Sequence, residues 1–117
     1  MISAPEAPST VRPAHIWLDG AHALVARPHD GGTIVTSIHR TPEPEVSYLL
    51  RVVHEAVGCD RVFVSGPDAS RLAFEREYVA IYQRPDQLID CGAEAKPGPR
   101  QLARRLRGLA SGVIGAG

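Results

Sequence analysis

The sequence predicts an α/β domain built on a five-stranded mixed sheet, with its elements in the order β-β-β-α-β-α-β-α. Two observations lead to this prediction. Three strand-like runs joined by turn residues come first and favour an antiparallel meander. After them, helical and strand-like segments alternate, as they do in parallel crossovers. The 117 residues have room for one such domain and not for two.

The opening meander is predicted from two turns and the runs around them. In residues 15–18 the aliphatic Ile16 and Leu18 alternate with other side chains, and the pair Asp19-Gly20 that follows is typical of a tight hairpin. The run 21–27 is again apolar and strand-like. A second turn, rich in Gly and Asp, leads into the run 33–38, whose β-branched residues favour a strand.

The first helix is predicted to begin at Thr41 and to end at Gly58. Thr41 offers a hydroxyl cap, and Pro42 stands in the first turn, where its missing N–H loses no partner. Apolar residues then recur at the helical period. The face expected to be buried consists of Val46, Leu49, Leu50, Val53 and Val57.

A short β-branched and aromatic strand at 61–65 organises the second half of the chain. Because a helix separates it from the meander, it should return parallel to the first strand by a right-handed crossover. Gly66 and Pro67 break this strand. Asp68 is expected to cap the next helix by accepting hydrogen bonds from its first free amides.

The last part of the chain is predicted to hold the rest of the second helix, a short strand and a third helix. The second helix should run to about residue 83, before Pro85, although residues 78–82 could instead form a strand. A strand at 87–91 and a loop at 92–96 follow. The third helix begins at Pro99, with Leu102, Leu106 and Leu109 on one face and Arg100, Arg104 and Arg107 on the opposite face.

We expect one domain between two tails. Residues 1–13, rich in Pro, Ala, Ser and Thr, predict a disordered N-terminal tail; residues 14–110 form the domain; residues 111–117 are expected to be a flexible C-terminal tail. Three meandering strands followed by alternating helices and parallel strands are the arrangement of the ribonuclease H-like sheet. Several components of the translation machinery share that sheet.

Two segments of the chain resemble a known family. Segment 66–74, Gly-Pro-Asp-Ala-Ser-Arg-Leu-Ala-Phe, resembles the Gly-Pro-Gly-x-Thr-Lys-x-x-Phe segment in the middle domain of archaeal and eukaryotic peptide-chain release factors and of Pelota. Segment 16–25, Ile-Trp-Leu-Asp-Gly-Ala-His-Ala-Leu-Val, is similar to the first hairpin of that domain and to the Val-Trp-Ile-Asp-His opening of related small, stand-alone bacterial proteins. The resemblance covers residues 14–109 and implies a ribonuclease H-like fold of the translational type and a link to ribosomes or RNA.

The resemblance does not carry over the release chemistry. The family's Gly-Gly-Gln loop lies between the third strand and the first long helix, where this sequence has only residues 39–45 and no Gly-Gly-Gln. Asp68 and Arg71 replace the family's third-position glycine and its lysine, so a backbone contact to an anion at that segment is not implied either. We therefore expect no peptidyl-tRNA hydrolysis.

Composition limits the partners. Thirteen acidic and thirteen basic residues cancel, so no overall field draws the chain to nucleic acid or to an anionic membrane, and no DNA specificity is expected. No apolar run has the length of a membrane span and no signal-peptide pattern opens the chain, so we expect a cytoplasmic protein without a membrane partner. Cys59 and Cys91 are expected to be reduced thiols, and no cofactor is predicted.

Four polar residues are predicted to share one edge of the sheet, namely Asp19, His22, His39 and Asp68. Strands one, three and four run in the same direction, so their carboxyl ends should meet where strand two begins. Such a set could bind a divalent cation, and Asp19, Asp68 and Asp90 are weak candidates for catalytic residues. The favoured interpretation is structural, because Asp19 fits a hairpin turn and Asp68 fits a helix cap. No metal site is predicted.

The basic face of the third helix is the predicted contact surface. The basic residues from position 96 onward, with no acid among them, are Lys96, Arg100, Arg104, Arg105 and Arg107. Arg100, Arg104 and Arg107 form a ridge that could follow a phosphate backbone, and Arg40 is a further candidate for RNA contact. The alternative is that this ridge is only the solvated side of an amphipathic helix.

These observations predict a non-enzymatic binding module associated with translation or RNA, without release activity. One alternative is a divalent-metal-dependent nuclease or phosphodiesterase of the same fold. Another is a protein-binding or self-associating domain whose first strands provide an exposed edge for pairing. The expected partner is a ribosome or RNA in the first case and a second copy of the chain in the last.

Overall fold

Three strands open the chain, and helices alternate with strands after them, in the predicted order. The structure is a computed structural model that describes the backbone of residues 11–115 and the side chains of residues 11–108. Its elements are β1 (Pro13–Leu18), β2 (His22–His29), β3 (Gly32–His39), α1 (Glu45–Glu55), β4 (Arg61–Ser65), α2 (Asp68–Tyr82), a 3-10 turn (Pro85–Gln87), β5 (Leu88–Gly92) and α3 (Pro99–Gly115).

The strands form one mixed sheet of five strands in the order β3-β2-β1-β4-β5, which confirms the predicted architecture. β1 is central: it pairs antiparallel with β2 and parallel with β4, so Ile16 lies opposite both Val25 and Val64. β2 also pairs antiparallel with β3, and β4 pairs parallel with β5. The carboxyl ends of β1, β3, β4 and β5 therefore meet at one edge, called the carboxyl edge below.

Helices cover both faces of the sheet. α1 and α2 pack on one face, over a core that includes Ile16, Leu18, Val25, Tyr48, Val52, Val62, Val64, Phe74 and Tyr78. α3 covers the other face, where Leu102 and Leu106 pack on Leu24 and Ala26. Because both faces are covered, every residue of β1 is buried, although its sequence alternates like a half-exposed strand.

α1 starts later than the sequence predicts. The helix begins at Glu45, after Pro44, and no side chain caps it. The Thr41 hydroxyl, predicted as the cap, donates instead to the carboxylate of Glu43 at 3.0 Å. Two prolines in the segment 41–44 keep this stretch out of the helix, because the residue before a proline avoids the α conformation.

The buried side of α1 is also rotated from the predicted one. Tyr48, Leu49, Val52 and Val53 are the buried residues of the helix. Val46, Leu50 and Val57, which the sequence places in the core, are 44%, 40% and 56% exposed. The helix is apolar on two neighbouring sides, and only one of them contacts the sheet and α2.

α2 confirms the helical interpretation of residues 78–82 and corrects the cap. It runs to Tyr82, and Gln83 ends it in a left-handed conformation at φ +55°. Pro67 occupies the N-cap position and Asp68 is the first helical residue, so the Asp68 carboxylate caps nothing. It accepts a hydrogen bond from Arg71 instead, at 2.8 Å.

The ends of the chain differ in part from the prediction. β1 begins at Pro13, within the stretch predicted as a tail, and α3 continues as a helix to Gly115, where a flexible tail was expected from residue 111. Residues 1–10 of the predicted N-terminal tail lie outside the described residues. No helix within residues 11–115 is both long enough and apolar enough to cross a bilayer.

Candidate nucleic-acid interface and carboxyl edge

The loop from β4 to α2 passes directly against the end of β1. Gly66 has a φ of +127°, and its N–H donates to the carbonyl of Gly92 at 3.2 Å. A Cβ at this position would overlap the carbonyl oxygen of Leu18 and lie 3.2 Å from its carbonyl carbon. The close approach of β1 and the loop after β4 therefore requires glycine.

Asp19, at the end of β1, has a structural role in the hairpin. Its carboxylate oxygen Oδ1 accepts hydrogen bonds from the backbone N–H groups of Ala21 and His22, both at 2.8 Å. Its backbone carbonyl accepts the hydroxyl of Tyr48 at 3.0 Å. Burial, followed by the charge of Asp19, raises the pKa of Tyr48, so this hydroxyl keeps its proton. Asp19 thus joins the β1–β2 turn to α1.

His22 and His39 form a stacked pair at the carboxyl edge. They lie opposite each other on β2 and β3, with ring centroids 4.1 Å apart and planes inclined by 7°. The Nε2 atoms of both rings approach the hydroxyl of Ser37, at 2.7 Å and 3.4 Å. Burial, then the charges of Lys96 and His39, lowers the pKa of His22, so this imidazole is neutral at pH 7.

The Asp68 and Asp90 carboxylates are held by Arg71, which the sequence did not mark as a site residue in its own right. Its side chain is only 11% exposed. Nη1 donates to the carbonyl of Gly66 at 2.6 Å and to Asp68 at 2.8 Å, and Nε lies 2.9 Å and 3.1 Å from the two Asp90 oxygens. Arg71 therefore ties α2 to the β4–α2 loop and to β5.

Glu75, one turn after Arg71, completes this cluster. Its Oε2 atom is buried, and no donor reaches it. Burial, together with a hydrogen bond to Asp90 and the charge of Asp90, raises the pKa of Glu75 to about 7. The same contact lowers the pKa of Asp90. The two pKa shifts are opposite, so Glu75 is the group of the pair that holds a proton more readily and Asp90 is the ionised one.

The four predicted edge residues have two different sets of bonding partners in the structure. His22, His39 and the Asp19 turn lie at β1–β2–β3, while Asp68 is bound to Arg71 beyond β4. Among the side chains of residues 11–108, no group of three or more His, Cys, Asp and Glu residues is arranged to hold a metal ion. The weak catalytic candidates Asp19, Asp68 and Asp90 each have a structural partner.

The basic residues near α3 differ in their availability to a ligand. Lys96, Arg100, Arg104 and Arg107 are exposed. Arg105 is half-buried and forms an ion pair with Glu94, whose backbone carbonyl accepts the indole N–H of Trp17 at 2.8 Å. Arg105 thus fixes the loop before α3. Arg40, also exposed, donates to the carbonyls of Gly20 at 3.4 Å and Glu43 at 3.2 Å.

A buried histidine lies beneath the same helix. His15, in β1, is 4% exposed; its Nε2 lies 3.5 Å from the Ser65 hydroxyl, and its Nδ1 has no partner. Burial lowers the pKa of His15, which therefore stays neutral. Ser65 is fully buried, so this pair is closed to a substrate and serves packing.

Comparisons with known proteins point to one fold. No family model and no curated protein matches the sequence. Pelota of Archaeoglobus fulgidus matches 90% of this chain, with a TM-score of 0.65 and 12% identity. Pelota of Thermoplasma acidophilum matches 89%, with a TM-score of 0.60 and 16% identity. The chain folds like the middle domain of Pelota.

Yeast Dom34 has the same fold. This protein of S. cerevisiae, described as a translation termination-like factor involved in RNA quality control pathways and interacting with Hbs1, matches 91% of the chain, with a TM-score of 0.56 and 9% identity. The chain spans about a third of the length of these structures, 34% of each Pelota and 38% of Dom34. The resemblance to Pelota inferred from the sequence is confirmed as a likeness of fold.

Two places in the fold bear on the resemblance drawn from the sequence. The connection between β3 and α1, where the release factors carry their Gly-Gly-Gln loop, is only residues 40–44. In the segment 66–74, Arg71 stands at the family's lysine and is bound to Asp68 and Asp90. Its guanidinium therefore stabilises the fold at this edge.

Proposed function

We propose that this chain is a non-enzymatic, cytoplasmic module of the translation machinery that binds ribosomal or other RNA and has no release activity. The Pelota-like fold supports the link to translation. The short β3–α1 connection supports the absence of release activity, because it has no room for a loop that reaches a distant catalytic centre. The RNA contact is supported by the exposed basic surface of α3 and of the loop that leads into it.

The ridge of Arg100, Arg104 and Arg107 is the observation that carries this proposal. All three residues are exposed, and none of the acids among residues 11–108 pairs with them. At the rise of an α-helix, they form a row roughly 10 Å long. An exposed row of unpaired guanidinium groups suits a phosphate backbone, because each contact releases counterions from the nucleic acid.

The surface around the ridge adds to its positive charge. Lys96 lies in the loop before α3, close enough to His22 to lower the pKa of its imidazole. The His22–His39 pair presents flat rings beside it. Aromatic rings next to basic side chains are typical of surfaces that bind single-stranded RNA, where bases stack on the rings. RNA would thus run along α3 toward the carboxyl edge.

The experiment is co-sedimentation with ribosomes and binding to a fluorescent single-stranded RNA over a salt series. We expect binding that weakens steeply with salt, and an Arg104→Glu variant that binds at least about fivefold more weakly and with a shallower slope, by roughly one phosphate contact. Arg76→Glu is the matched control, because Arg76 is an exposed arginine on α2, across the sheet from the ridge. Binding that is indifferent to salt and to Arg104→Glu, or equally weakened by Arg76→Glu, would refute the proposal.

A further inference from the structure

β3 forms one outer edge of the sheet and lacks the features that usually protect such an edge. Its eight residues, Gly32–His39, include no Asp, Glu, Lys, Arg or Pro, and it pairs with β2 over its whole length without a bulge. Natural edge strands are kept short, bulged or charged, because an open row of N–H and C=O groups recruits another strand. An unprotected edge of this length indicates a strand that pairs with a binding partner.

The hydrogen-bonding groups that face outward can be identified. The N–H of Arg40 donates to the carbonyl of Ala21 on the β2 side, at 2.8 Å. Because the direction alternates along a strand, the backbone groups of Thr33, Val35 and Ser37 point away from β2. The carbonyl of His39 confirms this alternation, since it accepts Nη2 of Arg51 from the open side, at 2.8 Å.

An apolar stripe on α1 lies beside this open edge. Val46 and Leu50, one turn apart on the same side of α1, are both exposed. Leu50 joins the stripe to the strand, because it lines a cavity of about 370 Å³ together with Ile38 of β3 and His54 of α1. The uncovered surface is therefore an open strand and a neighbouring apolar helix side, which is the composition of an interface core.

We propose that this surface binds a second copy of the chain, by antiparallel pairing of β3 with β3 about a twofold axis at Val35. In this register the outward groups of Thr33 meet those of Ser37 in the partner, and each such pair exchanges two hydrogen bonds. The same register brings Asp30 of one copy opposite Arg40 of the other, at both ends of the seam. Both residues are exposed, so the edge is complementary in charge to itself.

The twofold axis also accounts for the stripe on α1. An axis perpendicular to the sheet keeps both α1 helices on the same face of the joined sheet, so their apolar stripes face each other across the seam. A closed, isologous dimer of this kind uses the one surface on both copies and leaves no β3 edge open for further growth. The basic ridge lies on α3, on the opposite face, so this proposal does not depend on RNA binding.

The first test uses sedimentation equilibrium of the full chain over a concentration series. We expect a reversible monomer–dimer equilibrium that Ser37→Pro abolishes, because proline removes an outward N–H while leaving the bonds to β2 in place. Ser37→Ala is the matched control, since it keeps that N–H and should dimerise like the parent chain. Circular dichroism of both variants confirms that the monomer is folded.

The second test addresses the register. Asp30→Lys and Arg40→Glu each place like charges opposite each other at both ends of the seam, so each should raise the dimer dissociation constant roughly tenfold. The double variant Asp30→Lys/Arg40→Glu restores opposite charges and should return the constant to within about threefold of the parent value. A chain that stays monomeric up to millimolar concentration, a dimer unaffected by Ser37→Pro, or a double variant no better than the single ones would each overturn the proposal.

Discussion

Replacing Gly66 by alanine tests the central packing of the fold, the approach of β1 to the loop after β4. Two costs add at this position. A φ of +127° is strained for any residue with a Cβ, by about 1–3 kcal/mol. The new Cβ also overlaps the Leu18 carbonyl oxygen, so β1 and the loop must separate, at about 1–3 kcal/mol for an overpacked site.

We therefore expect Gly66→Ala to lower the free energy of unfolding by about 4 kcal/mol, a large part of the stability of a typical domain. The assay is urea denaturation followed by the fluorescence of Trp17, the one tryptophan of the chain, a buried residue of β1 whose indole N–H donates to the loop before α3. Gly20→Ala is the control, because Gly20 has no atom within 4 Å of a Cβ and no positive φ. It should change stability by less than about 0.5 kcal/mol. A loss below about 1 kcal/mol for Gly66→Ala would show that β1 and the loop do not meet as described.

Three further substitutions test buried polar groups. The pKa of Glu75 rises from 4.5 unfolded to about 7 folded, so the folded state holds the extra proton and stability falls as pH rises through this window. Glu75→Gln does not titrate, so it should remove that slope, which is worth about 1 kcal/mol after solvent screening. Urea titrations at pH 5 and 8 measure the slope, and an unchanged slope would contradict the raised pKa of Glu75. Burial lowers the pKa of His15, so its stabilising neutral form is lost as pH falls below 6.5, and His15→Leu should flatten the acid side of a melting-temperature profile; a profile as steep as the parent's would count against this. Trp17→Phe removes the donor to the Glu94 carbonyl and should lower stability by about 1–2 kcal/mol in far-ultraviolet denaturation curves, whereas no loss would mean that the bond contributes nothing.

The sequence predicts the order of elements because each one has a local signal. Gly66 and Pro67 end β4, and the Asp19-Gly20 pair marks the first turn, whose Asp19 side chain binds two amides of that turn. The buried side of α1 has no such signal. Its apolar residues cover two adjoining arcs, and the contact with α2 selects the arc of Tyr48 and Val52. The periodicity of a single helix does not show which of two apolar sides will pack against its neighbours.

The site residues also divide into those with a local signal in the sequence and those set by long-range contacts. The meeting of His22 and His39 follows from hairpin register, because residues opposite each other in a non-hydrogen-bonded pair have close side chains. The Arg71 cluster depends on Asp90, a residue 19 positions away on a different strand. Its only local signal is the spacing of Asp68 and Arg71. That spacing fits an ion pair on a helix, but an aspartate at position 68 fits a helix cap equally well. The raised pKa of Glu75 depends on the same long-range contact.

The central place of β1 in the sheet has a consequence for synthesis on the ribosome. β1, β2 and β3 are joined by tight turns, so the meander can form soon after residue 39 has left the exit tunnel, from contacts that are local in sequence. The partner on the other side of β1 is residues 61–65, which are translated later. During that interval the edge of β1 that later pairs with β4 is exposed, and other nascent chains can contact it. Slow translation while residues 40–65 emerge from the tunnel would lengthen this period, and fast translation would shorten it.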